Sequence, residues 1–459
     1  MYTRQSKKLT IIMAVIFAWT TIGMITSLGC TKERIVFWHP IKPQYYMDAL
    51  VQAMNRFNQA HPEIKGVMEF PGGGERYQEK VLLSVNADTV PDVLRLSPAV
   101  KYPMQYSGKK IIVPMSELSE NYKTELELED VMPEVIEFTS YYGKLLGAPW
   151  MLQLEGSGLA YNKDLFKKAG LDPESPPESI EELVEYAKIL TQDTDGDGTP
   201  DQWGYALPFG NKNWIIVPFA ADLWRRGAEI YDEEHDKVLI NGPEAVKALQ
   251  FWVDCYYKYK ICDLYAPDLS QMTHLYQYFG SGKVGMTMCS PDIGPYSFNF
   301  DWEVTHYPYV SAGLKVSAFN AQPLGVLEQC RHKRAAYEFI RWITSPEEGE
   351  YPKVMSGIGE FPVRYSTLTT PVWKQFVEKS PALKPFVEIV CDPQYIFRHR
   401  PRTPILSALK KIQKKAIQSA VYRKASAKEA LDQAAQEYEY IIAKTKREGT
   451  WREPDWIDK

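Results

Sequence analysis

Short apolar strand-like segments alternate with amphipathic helix-like segments along most of this chain, and this alternation limits what it can fold into. A strand-like run at residues 34–38 is followed by helical spacing over residues 45–59. Another strand-like run at 66–70 precedes a helical segment at 77–85, and residues 92–96 form a third such run. Strands that alternate with helices are typical of an α/β unit with a largely parallel sheet. We therefore predict an α/β fold.

Two later helices are predicted from capping boxes, in which a Ser side chain and a Glu three residues later satisfy the free N–H groups at a helix start. Ser179 and Glu182 form the first of these pairs, and Ser426 and Glu429 form the second. Apolar residues at helical spacing follow both pairs, so each pair predicts a helix with one buried face.

Length and charge narrow the class of protein further. At 459 residues the chain is too long for one ordinary core, so we expect two lobes or domains. Its 53 basic and 58 acidic residues give a formal net charge of −5. A mildly acidic chain is not expected to bind nucleic acid.

The N-terminus has the pattern of a secretory signal. Positive charges lie within residues 1–8, and residues 9–28 carry none. Ser27 to Cys30 resembles a bacterial lipobox, although Ser27 stands where Leu is usual. We predict that residues 1–29 are a signal peptide and that a lipid on Cys30 tethers the protein to the membrane. The alternative is an uncleaved membrane anchor, since the apolar run is about long enough to span a bilayer. Both interpretations place the rest of the chain outside the cytoplasm.

The remaining cysteines indicate neither a zinc site nor a disulfide framework, because their number is odd and no two form a CxxC pair. Cys255 and Cys262 are two helical turns apart on an apolar stretch. They are interpreted as core residues, with a disulfide as the alternative. The full set is Cys255, Cys262, Cys289, Cys330 and Cys391.

The sequence offers little support for an enzyme. It contains no P-loop, no GxGxxG after a strand, no HExxH and no GxSxG nucleophile elbow. Its seven histidines are scattered without metal-ligand spacing on one helix. Carboxylates are plentiful, but nothing singles out a glycosidase pair. We therefore predict a protein that is not an enzyme and requires no cofactor.

An Asp-rich loop is the one candidate metal site. Its oxygen-bearing side chains recur at every second position, as in the first nine places of an EF-hand calcium loop, and Gly198 permits the sharp turn. The twelfth place, where a bidentate Glu is expected, is Gly204. The loop therefore predicts either a structural calcium site or a metal-free turn held by Asx-type hydrogen bonds. The candidate ligands are Asp193, Asp195, Asp197, Thr199 and Asp201.

Several landmarks follow one another in an order that is characteristic of one family. They are Trp38, 57–58, 61–64, 91–93, 147–149, 159–166, 169–171, 279–286, 335–340, 345–347 and 361–364. With these landmarks, which cover nearly the whole chain after residue 34, the sequence resembles the family 1 extracellular solute-binding proteins of bacterial ABC importers. Each landmark is weak alone, and the ordered set is specific.

The resemblance implies a two-lobe periplasmic-binding-protein fold of the type II-like class, with a ligand cleft between lobes that close by a hinge. The first lobe is expected to contain residues 30–145 and 292–345, and the second to contain 146–291 and 346–459. The resemblance also implies a monomer that captures a small solute and delivers it to the permease subunits of an ABC transporter.

The family's pocket positions carry over to a set of aromatic and charged residues. Flat aromatic faces suit the apolar C–H patches of a sugar, while carboxylates and Arg suit its hydroxyls. Core packing for each Trp and surface exposure for each carboxylate are the alternatives. Two positions depart from the family pattern: Ile180 stands where the family usually has Trp, and residues 289–293 lack the usual Gly-Trp. These departures affect the prediction of the ligand more than the prediction of the fold. The expected ligand-binding residues are Trp38, His39, Tyr77, Trp150, Glu155, Trp214, Asp292, Glu360 and Arg400.

A sugar is the predicted ligand, and three alternatives stay open. A binder of glycerol phosphate or another anionic solute would need cationic groups in the cleft, for which Arg364, Arg398 and Arg400 are candidates. A secreted carbohydrate-active enzyme would release products. A sensory receptor would present its ligand to a membrane kinase instead of a transporter.

Overall fold

The structure is a computed structural model that describes residues 32–105, 107–212, 215–233, 235, 237–310, 314–346, 350–449 and 451. The predicted signal peptide, the predicted lipidation site Cys30 and the predicted ligand residue Trp214 lie outside the described residues. Among the helices of the described segments, none is long and apolar enough to cross a membrane.

Strands and helices alternate along the described chain, as the sequence predicts. The strands are β1 (Glu33–Trp38), β2 (Ile64–Glu69), β3 (Val93–Arg95), β4 (Ser140–Tyr141), β5 (Lys144–Leu145), β6 (Ala148–Glu155), β7 (Gly158–Asn162), β8 (Trp203–Ala206), β9 (Tyr231–Asp232), β10 (Lys237–Val238), β11 (Val284–Cys289), β12 (Trp302–His306), β13 (Val316–Gly325), β14 (Phe361–Pro362) and β15 (Ile396–Arg398). The α-helices are α1 (Gln44–Ala60), α2 (Gly74–Asn86), α3 (Pro98–Gln105), α4 (Met115–Tyr122), α5 (Pro133–Thr139), α6 (Lys163–Ala169), α7 (Ile180–Leu190), α8 (Ile216–Arg225), α9 (Pro243–Tyr257), α10 (Met272–Tyr278), α11 (Lys333–Thr344), α12 (Glu350–Ile358), α13 (Tyr365–Thr369), α14 (Pro371–Lys379), α15 (Lys384–Cys391), α16 (Leu406–Val421) and α17 (Ala427–Arg447).

The first lobe is built on a sheet with seven described strands in the order β14-β6-β13-β3-β1-β2, with β15 also paired to β13. β1 runs parallel to β2 and β3, whereas β13 runs antiparallel to β3 and β6. Ile35 and Phe37 of β1 are fully buried, and α1 turns Leu50 and Phe57 into the same core. The prediction of an α/β fold is therefore confirmed, but the sheet is not largely parallel, since its described strand pairs are evenly divided between parallel and antiparallel.

The second lobe is built on a smaller sheet in the order β12-β7-β11-β8. Every residue of β11 is buried, so this strand is covered on both faces. Its sequence is accordingly an almost continuous run of apolar residues. Helices α8 and α9 and the pair α16 and α17 supply most of the second core. Cys255 and Cys262 are both buried in this core, as predicted.

The chain crosses between the lobes on long strands. β6 ends at Glu155 in the first sheet, and β7 begins in the second sheet three residues later. β13 begins with Val316 and Ala318 in the second core and ends with Leu324 in the first. Ser157 and Ser317 join the two crossings through hydroxyl groups 2.6 Å apart. These segments are the hinge.

Sheet membership divides the chain differently from the lobe boundaries we predicted. β6 was assigned to the second lobe but lies in the first sheet, and β12 was assigned to the first lobe but lies in the second sheet. Residues 350–379 were also assigned to the second lobe, yet Tyr351 and Trp373 of their helices pack in the first core. Helix α15, in contrast, packs against β12 of the second sheet. The apolar pattern of a strand reports its burial but not which sheet it joins, so the crossing at residues 155–158 left no signal in the sequence.

Both predicted capping boxes are confirmed. The Ser179 hydroxyl accepts the N–H of Glu182, and the Glu182 carboxylate accepts the N–H of Ser179. Ser426 and Glu429 make the same reciprocal pair at the start of α17.

Gly204 in β8 lies directly against helix α7 of the second lobe. A Cβ at this position would lie 1.9 Å from the carbonyl oxygen of Ala187 in α7. Because both contacting groups belong to the backbone, rotation of a side chain cannot relieve the clash.

We expect Gly204→Ala to lower the free energy of unfolding by about 3 kcal/mol or more, at the upper end of what overpacking costs. Urea denaturation followed by circular dichroism measures this. Gly73→Ala is the matched control: Gly73 has an ordinary φ of −113°, and its nearest contact would be 3.4 Å away. That variant is expected to change stability by no more than about 1 kcal/mol. Equal effects of the two substitutions would contradict the predicted clash.

Candidate functional site

His39 follows β1 at the carboxyl end of the first sheet, where open α/β sheets place their ligands. Its Nε2 lies 3.3 Å from the Tyr46 hydroxyl, and its Nδ1 lies 2.9 Å from the carbonyl oxygen of Pro40. The His39 ring also meets the Trp150 ring edge to face, with 5.6 Å between the centroids. Burial lowers the pKa of His39 well below its usual value, so the imidazole is neutral. The structure thus brings together His39 and Trp150, two of the predicted site residues, in a buried position.

Two other predicted residues, Trp38 and Tyr77, brace the ends of the strands. The indole N–H of Trp38 donates to Glu69 at 2.8 Å. The Tyr77 hydroxyl donates to the carbonyl oxygen of Arg95 at 2.9 Å and to that of Trp38 at 3.3 Å. Both side chains are buried in a small cluster of their own. In this structure they hold β1, β2 and β3 together, and their predicted contact with a ligand stays a prediction.

The crossing strands carry a row of side-chain amides. Gln322 and Asn320 of β13 both donate to the Gln153 side-chain oxygen of β6, at 3.0 and 3.3 Å. Leu324 pairs with Arg95 in the register of β13 and β3. Leu324 is two residues beyond Gln322 along β13, across an irregularity in the register, so Arg95 lies at the end of this row. We call Arg95, Gln153, Asn320 and Gln322 the polar floor.

Several buried polar atoms in the sheet of the first lobe and beside it have no hydrogen-bond partner among the described residues. Buried donors and acceptors are nearly always hydrogen-bonded in folded proteins, so unpartnered ones indicate a position for a ligand or for water. Donors and acceptors occur side by side here. The unpartnered buried atoms are Nε and Nη1 of Arg95, the hydroxyls of Ser97 and Tyr102, Nε1 of Trp150, Oδ1 of Asn320 and Oε1 of Gln322.

Charged groups from both lobes face each other beside the polar floor. In the first lobe, Lys42 Nζ lies 3.5 Å from Glu360 and 5.5 Å from the centre of the Tyr46 ring. In the second lobe, Asp292 accepts a hydrogen bond of 2.8 Å from the Tyr276 hydroxyl. The charges of Glu360 and Lys42 shift the pKa of Asp292, so the predicted site residues Asp292 and Glu360 lie near each other.

Asp292 has an unusual protonation equilibrium for an aspartate. It keeps contact with solvent, but the protein around it desolvates the carboxylate and raises its pKa to about 6. The hydrogen bond from Tyr276 lowers the pKa, and the nearby charge of Glu360 raises it. Asp292 is therefore partly protonated near neutral pH, unlike an aspartate in water.

Glu155 and Arg400, both predicted to bind ligand, bind each other instead. Two hydrogen bonds of 2.7 and 3.2 Å join the guanidinium to the carboxylate, and the side chains are only 10% and 13% exposed for Arg400 and Glu155. Lys410 of α16 lies nearby, and burial followed by the charge of Arg400 lowers its pKa to about 8. The pair lies beside the hinge, because Glu155 is the last residue of β6.

The Asp-rich loop gathers three of its five candidate ligands. Carboxylate oxygens of Asp193, Asp195 and Asp197 lie within 4.8 Å of one another. Asp193 already accepts the N–H groups of Gly196 and Gly198, at 2.7 and 2.8 Å. These are the Asx-type hydrogen bonds of the alternative interpretation, and calcium binding stays a prediction. The two remaining candidates are engaged locally: the Thr199 N–H donates to Asp197, and Asp201 accepts from the hydroxyl and N–H of Thr194.

Several residues of the cleft escaped the sequence analysis. Arg95 did leave a signal, because it is a lone charge inside the apolar run of β3. Tyr276 and the amides of the polar floor left none, since polar residues in a strand or helix usually indicate solvent exposure. The residues missed are Lys42, Tyr45, Tyr46, Arg95, Gln153, Tyr276, Tyr296, Asn320 and Gln322.

Two α/β lobes, strands that cross between them and polar groups of both lobes around one cleft define a two-lobe solute-binding protein. Comparison with known families agrees with this class. The chain belongs to the bacterial extracellular solute-binding protein family, whose model matches residues 41–350. The predicted family and fold are therefore confirmed.

Among curated proteins, the chain is similar to the sn-glycerol-3-phosphate-binding periplasmic protein UgpB of Salmonella paratyphi A. The two are 30% identical over 241 residues, which cover 50% of this chain and 52% of that protein. UgpB of Escherichia coli K12 is 29% identical over 221 residues, covering 46% of this chain and 47% of that protein. The chain thus spans about half the length of the curated relatives it matches.

Solved structures share the fold at lower sequence identity. Maltose-bound MalE3 of T. maritima matches with a TM-score of 0.71 and 22% identity, covering 89% of this chain and 99% of that chain. Lmo0181 of Listeria monocytogenes, in complex with cycloalternan, matches with a TM-score of 0.74, 18% identity and coverages of 90% and 99%. UgpB of Mycobacterium tuberculosis, in complex with glycerophosphocholine, matches with a TM-score of 0.74 and 17% identity, covering 90% of this chain and 99% of that chain. The family and these neighbours are binding proteins.

We expect Glu155→Gln to lower the free energy of unfolding by about 3 kcal/mol, because it leaves the Arg400 guanidinium buried without its countercharge. Adding Arg400→Met should recover part of this loss. Urea denaturation of both single variants and the double variant measures the coupling. Glu244→Gln, which removes the exposed ion pair with Lys247, is the matched control and should cost at most about 1 kcal/mol. Fully additive effects of the two hinge substitutions would contradict the pairing.

Asp292 predicts a pH dependence with a defined sign. Its pKa is raised in the folded protein, so the stability it contributes is present below its ordinary value near 3.8 and is lost as the pH rises through about 6. We therefore expect the wild type to lose stability relative to Asp292→Asn between about pH 4 and pH 6. Unfolding curves at several pH values measure the difference. A carboxyl NMR titration of Asp292 with a midpoint near 4 would contradict this expectation.

Proposed function

We propose that this protein captures a sugar or oligosaccharide in the cleft between its lobes and delivers it to the permease subunits of an ABC importer. The observation that carries the proposal is the set of unpartnered donors and acceptors around the polar floor. Sugar hydroxyls both donate and accept hydrogen bonds, so one polyhydroxylated molecule can satisfy both kinds of atom. The structural neighbours with maltose and cycloalternan bound support the same class of ligand.

Aromatic rings at the cleft suit the apolar faces of a sugar. Tyr45 lies on the first lobe and Tyr296 on the second, where the fully buried Tyr276 packs against Tyr296 with 5.1 Å between the ring centroids. Tyr45 is half exposed, so its ring is available for stacking. Pockets of this kind combine aromatic surfaces with a few polar groups that fix orientation.

Capture works by closure of the hinge. A ligand that contacts Lys42 and Glu360 on one lobe and Asp292 on the other binds the closed arrangement better than an open one. Its binding therefore shifts the population toward the closed form, by as much as the difference in affinity allows. The short crossings at residues 155–158 and around Ser317 let the lobes rotate while each sheet stays intact. The permease subunits then recognise the closed form.

The same proposal includes the location of the protein. Residues 1–29 act as a signal peptide, and a lipid on Cys30 tethers a monomeric protein at the outer face of the membrane. The N-terminal charge pattern and the extracellular family support this location. Calcium in the Asp-rich loop has a structural role in the proposal, remote from the polar floor.

A thermal-shift screen of the purified chain from Cys30 onward tests the function. The panel contains sugars, oligosaccharides, polyols and sugar phosphates, each with and without calcium. A ligand of the folded state at a hundredfold excess over its dissociation constant stabilises the protein by about 3 kcal/mol and raises its melting temperature. We expect one sugar class to give this shift.

Gln322→Leu should abolish the shift, because it removes an amide of the polar floor. Gln433→Leu, on the exposed face of α17, is the matched control and should retain it. A panel without any shift would contradict the proposal. Hydrolysis or elimination products from an oligosaccharide would favour the carbohydrate-active enzyme instead.

A further inference from the structure

The hinge turn at Gly156 is held by the second lobe on both sides of the residue. Its N–H donates to the Ser290 hydroxyl at 2.9 Å, and its carbonyl oxygen accepts from the Arg225 guanidinium. Arg225 is buried and lies over the Tyr307 ring, 4.1 Å from the ring centre. A Cβ at Gly156 would lie 2.7 Å from the Met288 sulfur. All of these side chains belong to the second lobe, so Gly156 moves with that lobe.

Ser290 also connects the hinge turn to the ligand cleft. Its N–H donates to the Tyr276 hydroxyl at 3.0 Å, and that hydroxyl donates to the Asp292 carboxylate at 2.8 Å. Asp292 is one of the predicted ligand-binding residues, and charged groups of the first lobe lie near it. Three successive hydrogen bonds therefore join a carboxylate of the cleft to Gly156.

The Tyr276 hydroxyl has one hydrogen and two acceptors within reach. Besides Asp292, the carbonyl oxygen of Ser290 lies 3.4 Å from it. Tyr276 is fully buried, so its hydrogen must go to one of these oxygens. A charged carboxylate is the stronger acceptor, and it holds the hydrogen at the shorter distance. A proton on Asp292, or a ligand donor that engages its carboxylate, weakens this hold and favours the Ser290 carbonyl.

We propose that Tyr276 and Ser290 are positioning residues that transmit the state of the Asp292 carboxylate to the hinge turn. When the Tyr276 hydrogen moves from Asp292 to the Ser290 carbonyl oxygen, it pulls on the same residue whose hydroxyl holds the Gly156 N–H. The angle between the lobes then depends on what Asp292 binds. This inference rests on the proposed function, in which Asp292 meets the ligand, and adds a route from that contact to the hinge.

A direct electrostatic effect is the alternative route from Asp292 to the arrangement of the lobes. The charge on Asp292 repels Glu360 and attracts Lys42, and neither interaction involves Ser290. Variants of Tyr276 and Ser290 therefore separate a hydrogen-bond relay from direct attraction and repulsion. The titratable and charged groups that face Asp292 are Lys42, Tyr45, Tyr276, Cys289, Tyr296 and Glu360.

Double electron–electron resonance on the ligand-free protein measures the arrangement of the lobes as a distance distribution. Spin labels at Lys80→Cys on α2 and Glu185→Cys on α7, two exposed positions, report on the two lobes, and Cys391→Ser removes the exposed native thiol. Desolvation raises the pKa of Asp292 to about 6, so the transition is expected near that pH. We expect the ratio of two lobe arrangements to change about fivefold across it, because a neutral hydrogen bond is weaker than a charge-assisted one.

Ser290→Ala and Tyr276→Phe should each abolish the pH response, because each breaks the chain of hydrogen bonds. Ser290→Thr keeps the hydroxyl, and the extended φ of −127° at this position suits a β-branched residue, so this variant should retain the response. Ser281→Ala is the matched control and should also retain it, since the Ser281 hydroxyl donates to the Tyr278 carbonyl oxygen on the surface of the same lobe. A purely structural role for Ser290 predicts a lower melting temperature of Ser290→Ala with an unchanged pH response.

A distance distribution that does not change with pH would overturn this inference, and a ligand found in the thermal-shift screen would still leave the proposed function standing. A response that survives in Ser290→Ala or Tyr276→Phe would also overturn it and assign the effect to the direct charges of Glu360 and Lys42. Loss of the response in Ser281→Ala would count against the relay as well. Because the measurement needs no ligand, an empty screen would count against the proposed function alone.

Discussion

The antiparallel pairing of β6 with β13 is the interaction on which the rest of the structure depends. These two strands form the middle of the first sheet and also carry the chain into the second lobe. Some of their side chains therefore belong to a hydrophobic core, and others belong to the wall of the cleft. The amides of Gln153, Asn320 and Gln322 occupy positions that an ordinary central strand would fill with apolar groups. The pairing thus fixes the hinge and the polar floor with one set of backbone hydrogen bonds.

Ion pairing then determines which polar groups of the cleft stabilise the fold and which remain available to a ligand. Glu155 and Arg400 neutralise each other at the hinge end, and Glu360 engages Lys42 at the other end. Charges that are satisfied within the protein stabilise one arrangement of the lobes. Arg95 and the unpartnered amide oxygens are left over after this pairing. The same cleft therefore contains polar groups that stabilise the fold and polar groups that are available to a ligand. Only the hydrogen-bond partners of each side chain distinguish the two kinds.

Much of the fold could be predicted from local pattern, and much of the site could not. The capping box at Ser179 and the strand at residues 34–38 are local features, and both are present in the structure. Lobe membership depends on which strands meet in three dimensions, so β6 and β12 were placed in the wrong sheet. Glu155 and Arg400 were predicted as ligand-binding residues but not as partners of each other, because 245 positions separate them in the sequence. Arg95 was missed, although it left one signal in the sequence as a charge within an apolar run.

The hydroxyl contact between Ser157 and Ser317 has a mechanical consequence. It ties together two of the segments that pass between the lobes, close to Gly156, whose φ of +61° bends the chain between β6 and β7. The hydrogen bond resists sliding of these two segments past each other, whereas rotation about the line that joins them leaves it intact. A third segment, between β15 and α16, also passes from the first sheet to the second core. Rotation about that line is therefore the relative motion that the serine contact leaves free.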